Sequence, residues 1–213
     1  MPRVTATGAF EPDVELWDAW SPDDVARRLA GVEAPWYVAA GWAIDLFLGG
    51  VLREHEDLEI AVPNTRFDEV VDALDGFEFF VITGQRQATP LAEARDRLFD
   101  THQTWVRERA AGSWRLDVFR EPSDADTWIC RRDPAIRLPY AFLIERTEDR
   151  VPYGRPEVVL LFKAKHADQD KNQRDLAATL PLLGPERRAW LHDALEVLHT
   201  SHPWLDELER TAA

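Results

Sequence analysis

The order of elements in the chain predicts an α+β fold: a mixed sheet with flanking helices, followed by a small helical C-terminal subdomain. Three observations carry this expectation. Short apolar runs bounded by glycine and proline recur through the first 150 residues, which is the signature of strands. Helical segments with start signals or 3.6-residue spacing are set among them. From Pro156 onward the character changes, and helical spacing takes over to the end.

Residues 1–20 begin irregularly and are expected to pack loosely, although Trp17 and Trp20 are available to anchor them. Ser21-Pro22-Asp23-Asp24 is a helix start: a serine cap, proline at the first helical position and acids in the first turn. That helix runs to about Ala30. Residues 36–40 form a short strand, Gly41 ends it, and residues 42–48 form a helix closed by Gly49-Gly50. A strand over 57–62 stops at Pro63, a helix over 66–74 follows from the spacing of Phe67, Val70, Val71 and Leu74, and residues 77–82 are a strand. Residues 84–100 read as a loop. Residues 102–109 and 113–119 pair as a hairpin around Ala110-Ala111-Gly112, and further strands fall at 127–130 and 141–147. Helices are expected at 156–165, 174–183 and 186–199.

The chemistry concentrates between Gly41 and Ile60. In a strand, side chains two residues apart share a face, with Cα atoms roughly 6.5–7 Å apart. Asp57 and Glu59 therefore point one way, while Leu58 and Ile60 point toward a core. Two carboxylates on one face repel each other unless a cation lies between them, and oxygen ligands of this kind suit Mg2+ working alongside phosphates. A D-x-E pair alone is more often a solvated strand face. Fifteen residues earlier, however, a strand passes through the Gly41-Trp42 turn into a helix N-terminus, where free N–H groups and the helix dipole favour an anion. Arg53 and His55 lie between the two features.

The run Gly41-Trp42-Ala43-Ile44-Asp45, then Arg53, His55 and Asp57-Leu58-Glu59, resembles the nucleotidyltransferase superfamily, in its aminoglycoside 2''-adenylyltransferase-like branch. Trp114-Arg115-Leu116-Asp117-Val118-Phe119, Pro156 to Lys165 and His202-Pro203-Trp204-Leu205 extend the resemblance over roughly residues 20–206. Three positions depart from the common pattern: Ala40 replaces the first glycine of a Gly-Gly pair, Glu59 stands for aspartate, and Asn172 for the aspartate of a K-D-x-x-D run.

The resemblance implies a polymerase beta-like fold, with a nucleotidyltransferase catalytic domain over 1–150 and the helical subdomain over 151–213. It implies that Asp117 is a third carboxylate joining Asp57 and Glu59, either as metal ligand or as general base. Lys163 is the first choice for a triphosphate-binding lysine and Lys165 the second. Arg53 and His55 either contact phosphate or pack locally, and Trp42 is either core or a wall of the nucleotide pocket. Asp45 is expected to order the loop after its helix by accepting hydrogen bonds. His202-Pro203-Trp204 is expected to latch the helical subdomain.

The implied reaction is Mg2+-dependent transfer of a nucleoside monophosphate, AMP from ATP, to a hydroxyl of a small, aminoglycoside-like molecule. Glu59 keeps open a second reading, a catalytically weakened nucleotide-binding or regulatory protein on the same fold. A third is a toxin-like enzyme acting on a macromolecule. The formal charge of −14 argues against duplex nucleic acid as partner and suits a cationic acceptor. A hydrophobic fraction of 45% with nine tryptophans indicates a folded core. Cys130 is the only cysteine, and no segment reads as a membrane span or leader, so a cytoplasmic protein is expected, while high arginine and tryptophan against low lysine and a single methionine suggest a bacterial source. The six histidines show no zinc-ligand spacing, and no phosphate loop of the G-x-x-x-x-G-K-[ST] type is present.

Overall fold

A computed structural model describes residues 8–84, 87–199 and 201–210. In chain order its helices are α1 (Pro22–Arg28), α2 (Ala40–Leu48), α3 (Phe67–Ala73), α4 (Leu91–Ala94), α5 (Tyr140–Leu143), α6 (Pro156–Lys163), α7 (Asp170–Thr179), α8 (Pro185–Leu198) and α9 (Pro203–Arg210). The strands of the first half are β1 (Tyr37–Val38), β2 (Glu59–Pro63), β3 (Glu78–Thr83), β4 (Gln87–Pro90), β5 (Gln103–Arg107), β6 (Trp114–Glu121) and β7 (Ser123–Asp124). Then come β8 (Thr127–Ile129), β9 (Arg137–Pro139), β10 (Ile144–Arg146) and β11 (Pro152–Gly154). No helix among the described residues is long and apolar enough to cross a membrane.

The chain packs as two compact units, each discontinuous in sequence. One takes in the chain up to Val38 together with His55–Ala125, and the other Ala39–Glu54 together with Asp126 onward. The discontinuity arises because α2 packs against α6 and α7, more than a hundred residues later. A helix must cover its apolar stripe somewhere, and for α2 the cover comes from far along the chain.

In the first unit the strands run in the order β1-β2-β6-β5-β3-β4. The β2–β6 pair is parallel and the other pairs are antiparallel, which makes the sheet mixed. Alternation sorts the side chains: Leu58, Ile60, Leu116 and Val118 are fully buried. The expected hairpin is formed by β5 and β6, and Gly112 turns it with a φ of 71° that a side chain would strain. Residues 84–100 are more ordered than a loop: β4, α4 and a 3-10 turn occupy most of them. Only four residues of β4 pair with β3, and Pro90 ends it, so no alternation long enough to stand out precedes α4.

Residues 10–17 are anchored rather than loosely packed. Phe10 exchanges backbone hydrogen bonds with Ala88, Trp17 meets Trp105 edge to face at 5.2 Å, and the Trp114 indole donates to the Asp13 carbonyl at 2.9 Å. The α1 start is a capping box, with Ser21 and Asp24 bonding each other's backbone N–H.

In the second unit α6 packs on α8, and α8 on α9, while β10 pairs with β11 and β8 with β9. The α7 helix begins at Asp170, four residues before the expected start, because its first turn is polar and carries no apolar spacing. The latch at the C-terminus is present: Trp204 is fully buried, and His202 Nε2 lies 2.9 Å from the Ala164 carbonyl. Arg132 donates to the Phe162 carbonyl at 2.9 Å, closing the end of α6.

Candidate active site

The carboxylates belong to the first unit, at the start of the β2–β6 pair. β2 begins at Glu59 rather than at Asp57, so Asp57 lies two residues ahead of the strand. The parallel register sets Glu59 opposite Asp117, and the Asp117 N–H donates to the Leu58 carbonyl at 2.9 Å. Glu59 and Asp117 therefore project from the same face of the sheet, the one opposite Leu58, Leu116 and Val118. Asp57 and Glu59 are half-buried, and Asp117 is 2% exposed.

An aspartate so enclosed is costly to ionise. Burial pushes its carboxyl up to about 8, against the lowering pull of the Gln103 amide and the Trp105 indole. The negative charge of Asp57 raises it further, and Arg120 draws it down. One oxygen, Oδ2, accepts from Gln103 Nε2 at 2.6 Å. The other, Oδ1, is buried with no hydrogen bond of normal geometry among the described residues, and Trp105 Nε1, on the residue directly opposite in β5, is in the same condition. A buried carboxylate oxygen whose one neighbouring donor, the Trp105 indole, is poorly aligned, next to a second carboxylate that repels it, is what a divalent cation would resolve. The donor set is all oxygen and anionic, which fits Mg2+.

The turn into α2, Arg53, Lys163 and Lys165 belong to the second unit, and His55 to the first. The helix begins at Ala40, so Gly41, expected to end the strand, is instead the buried second residue of α2, and Trp42 is half-buried beside it. Ala40 holds the tight turn, with a φ of 49°. This is the position where the resemblance expects glycine. An L-residue there costs about 1–2 kcal/mol, while glycine loosens the unfolded chain by about 0.4–1 kcal/mol. Ala40→Gly should therefore raise the melting temperature slightly, by ~2 °C in a differential scan. A fall of several degrees would show that Ala40 is not strained.

Asp45 is 3% exposed and accepts from the Leu52 N–H at 3.2 Å, ordering the loop as expected. Arg53 and Lys163 converge on one buried residue: Arg53 Nε lies 3.6 Å from Asp175 Oδ1, and Lys163 Nζ 2.7 Å from Asp175 Oδ2. Asn172 joins them, with its Oδ1 3.4 Å from Lys163 Nζ and its Nδ2 donating to the His166 carbonyl at 2.8 Å. Lys165 is exposed in the 3-10 turn after α6, and His55 is half-buried. Sequence reading missed Asp175. The signal was the spacing of Asn172, Asp175, Leu176 and Thr179, all buried, which puts three polar residues on the inward stripe of α7. It also missed Gln103, which nothing in its local sequence distinguishes from a strand-surface residue.

Outside these groups, His192, Asp193 and Glu196 on α8 bring one ligand atom each within 4.8 Å, a helical spacing overlooked in the sequence. The Asp193 and Glu196 side chains are 81% and 61% exposed, so water satisfies them without a metal.

Residues 23–119 match the profile of the family described as aminoglycoside-2''-adenylyltransferase. That segment, just under half of the chain, is similar to this family. It contains the α2 turn, Asp57, Glu59 and Asp117. Curated relatives include a 2''-aminoglycoside nucleotidyltransferase of Klebsiella pneumoniae, 34% identical over 79 residues, and one of Escherichia coli, 33% identical over 79 residues. Each match covers 36% of this chain and 42% of the relative, so less than half of those proteins is represented. Solved structures extend the likeness in fold. The crystal structure of ANT(2'')-Ia in complex with adenylyl-2''-tobramycin gives a TM-score of 0.56 at 15% identity, covering 82% of this chain and 95% of that one. The solution structure of the antibiotic-resistance factor ANT(2'')-Ia gives 0.54 at 14% identity, covering 88% and 94%. Lincomycin-bound LnuA, a lincosamide antibiotic adenylyltransferase, gives 0.50 at 15% identity, covering 73% and 92%. The chain thus has the mixed α+β fold of these nucleotidyltransferases.

Proposed function

We propose that the protein is a Mg2+-dependent nucleotidyltransferase that moves AMP from ATP onto a hydroxyl of a small, aminoglycoside-like acceptor in the cytoplasm. The observation that carries this reading is the parallel β2–β6 register, which sets Glu59 opposite Asp117 with the charge of Asp57 acting on the same buried carboxyl. Asp57, Glu59 and Asp117 would hold the metal. When bound, Mg2+ would neutralise charge on the phosphates and on departing pyrophosphate.

The chain's own groups supply the rest. Asp117 acts as ligand through Oδ1, and as the site nearest a proton-accepting role should the acceptor hydroxyl require one. Arg53 and Lys163 are the proposed triphosphate contacts, held ready by Asp175, with Lys165 and His55 as secondary candidates. Gly41 and Trp42 open α2, whose N-terminus offers free N–H groups to phosphate. The 2''-aminoglycoside activity named for the relatives suggests the acceptor class, and the charge of −14 favours a polycation.

The test is to incubate purified protein with ATP, GTP, CTP or UTP, Mg2+ and a panel of aminoglycoside and lincosamide acceptors, following pyrophosphate release. Acceptor-dependent release with ATP is expected, and silence across the panel would overturn the reading. Glu59 in place of aspartate favours a second reading, a nucleotide-binding protein with weakened catalysis. Triphosphate affinity measured with and without Mg2+ separates the two: an intact site binds far more tightly with metal, because three carboxylates otherwise oppose the phosphates. Metal-independent binding would favour the regulatory reading.

A further inference from the structure

We infer that Gln103 is a positioning residue for Asp117: its amide N–H occupies Oδ2 and leaves Oδ1 as the oxygen presented to a divalent cation. The inference rests on the metal-site reading above and adds to it the residue that aims the ligand. An aspartate's terminal torsion is broad, so a carboxylate on a rigid strand still needs a partner to fix which oxygen faces the metal. Across β5–β6 the register pairs Trp105 with Asp117 and Gln103 with Phe119. Gln103 is therefore a diagonal neighbour of Asp117 on the same face, a separation that a long side chain spans. Its Nε2 reaches Oδ2 at 2.6 Å. A carboxylate bound to a cation is ionised and has no proton to give, so there the amide must be the donor.

The backbone that carries Gln103 is itself held from the opposite face. Arg120, 2% exposed, donates from Nη2 to the Gln103 carbonyl at 3.0 Å and to Thr101 Oγ1 at 2.8 Å. It also donates from Nε to Thr104 Oγ1 at 2.9 Å and from Nη1 to the Leu98 carbonyl. Four hydrogen bonds from one buried guanidinium fix residues 98–104 against β6. Gln103 thus works from a rigid base, which is what orienting a ligand through a single hydrogen bond requires.

Gln103→Met keeps the length of the side chain and removes the donor; Gln103→Leu removes the donor with a shorter, branched shape. Full-length wild type and both variants would be titrated with Mn2+ into the millimolar range, with the free ion followed by electron paramagnetic resonance. Melting curves without metal, and turnover at saturating ATP, would accompany the titration. The expected result is a roughly 10–100-fold weaker Mn2+ affinity in both variants, with kcat falling more than the KM for acceptor rises. Wild-type Mn2+ affinity in both variants, whether or not they melt lower, would reduce Gln103 to a strand residue and overturn the inference alone. Absence of Mn2+ binding by the wild type would overturn the metal site and the inference with it.

Discussion

Asp57→Asn is expected to lower nucleotidyl transfer by ~100-fold or more while leaving the melting temperature near that of the wild type. The amide keeps the size of the side chain and loses its charge. Charge stabilisation by a bound metal supplies several kcal/mol, and about 1.4 kcal/mol is a factor of ten in rate. Stability should hold because Asp57 lies ahead of β2 and is only half-buried. Its charge also repels Asp117, so removing it relieves the folded state. Steady-state pyrophosphate release and a thermal melt on the same preparation check both halves. Near-native turnover would remove Asp57 from the mechanism.

Asp117→Asn should abolish activity and, in metal-free buffer, make the protein more stable. Burial raises the Asp117 carboxyl from its ordinary 3.8 to about 8 in the folded chain. A group raised in this way favours folding below its unfolded value, and that contribution is lost as pH climbs through the folded one. Between pH 3.8 and about 8 the wild type therefore loses stability that the asparagine variant, which cannot ionise, retains. The melting-temperature gap should open across this window and level off above it, reaching ~4 °C or more. A metal ligand and a general base are separated by binding: loss of a ligand weakens Mg2+ and triphosphate binding together, whereas loss of a base slows only the chemical step. We expect the former, from the poorly satisfied Oδ1 and the Glu59–Asp117 register. A variant with wild-type melting at every pH and unchanged turnover would return Asp117 to an ordinary strand residue.

The two variants also separate the readings of the fold. A nucleotide-binding protein with weakened catalysis would show little turnover to lose, yet its metal-free melting would respond to Asp117→Asn all the same. The stability effect depends only on enclosure of the carboxyl, and the activity effect on the metal.

Local sequence determined the parts of this protein whose physics is local. Alternation at Leu58-Glu59-Ile60 and at Leu116-Asp117-Val118 dictated which side chains enter the core, since a strand has only two faces. Ser21-Pro22-Asp23-Asp24 specified the start of α1 through hydrogen bonds spanning three residues, and Asp45 ordered its own loop seven residues on. The β5–β6 hairpin followed from a short turn ending in glycine. Register and long-range partners were settled only by tertiary structure. That β2 and β6 run parallel, bringing Glu59 level with Asp117 across 58 residues of chain, is a choice among pairings that look equally good strand by strand. That Arg53 and Lys163 meet at Asp175 depends on α2 packing against α6 and α7. Even the turn at Ala40 followed this rule. The sequence placed a turn near Gly41, but the left-handed backbone fell one residue earlier, on the alanine, where the packed helix begins. Backbone geometry at a single residue is set by the elements it joins, and those are positioned by contacts no local window contains.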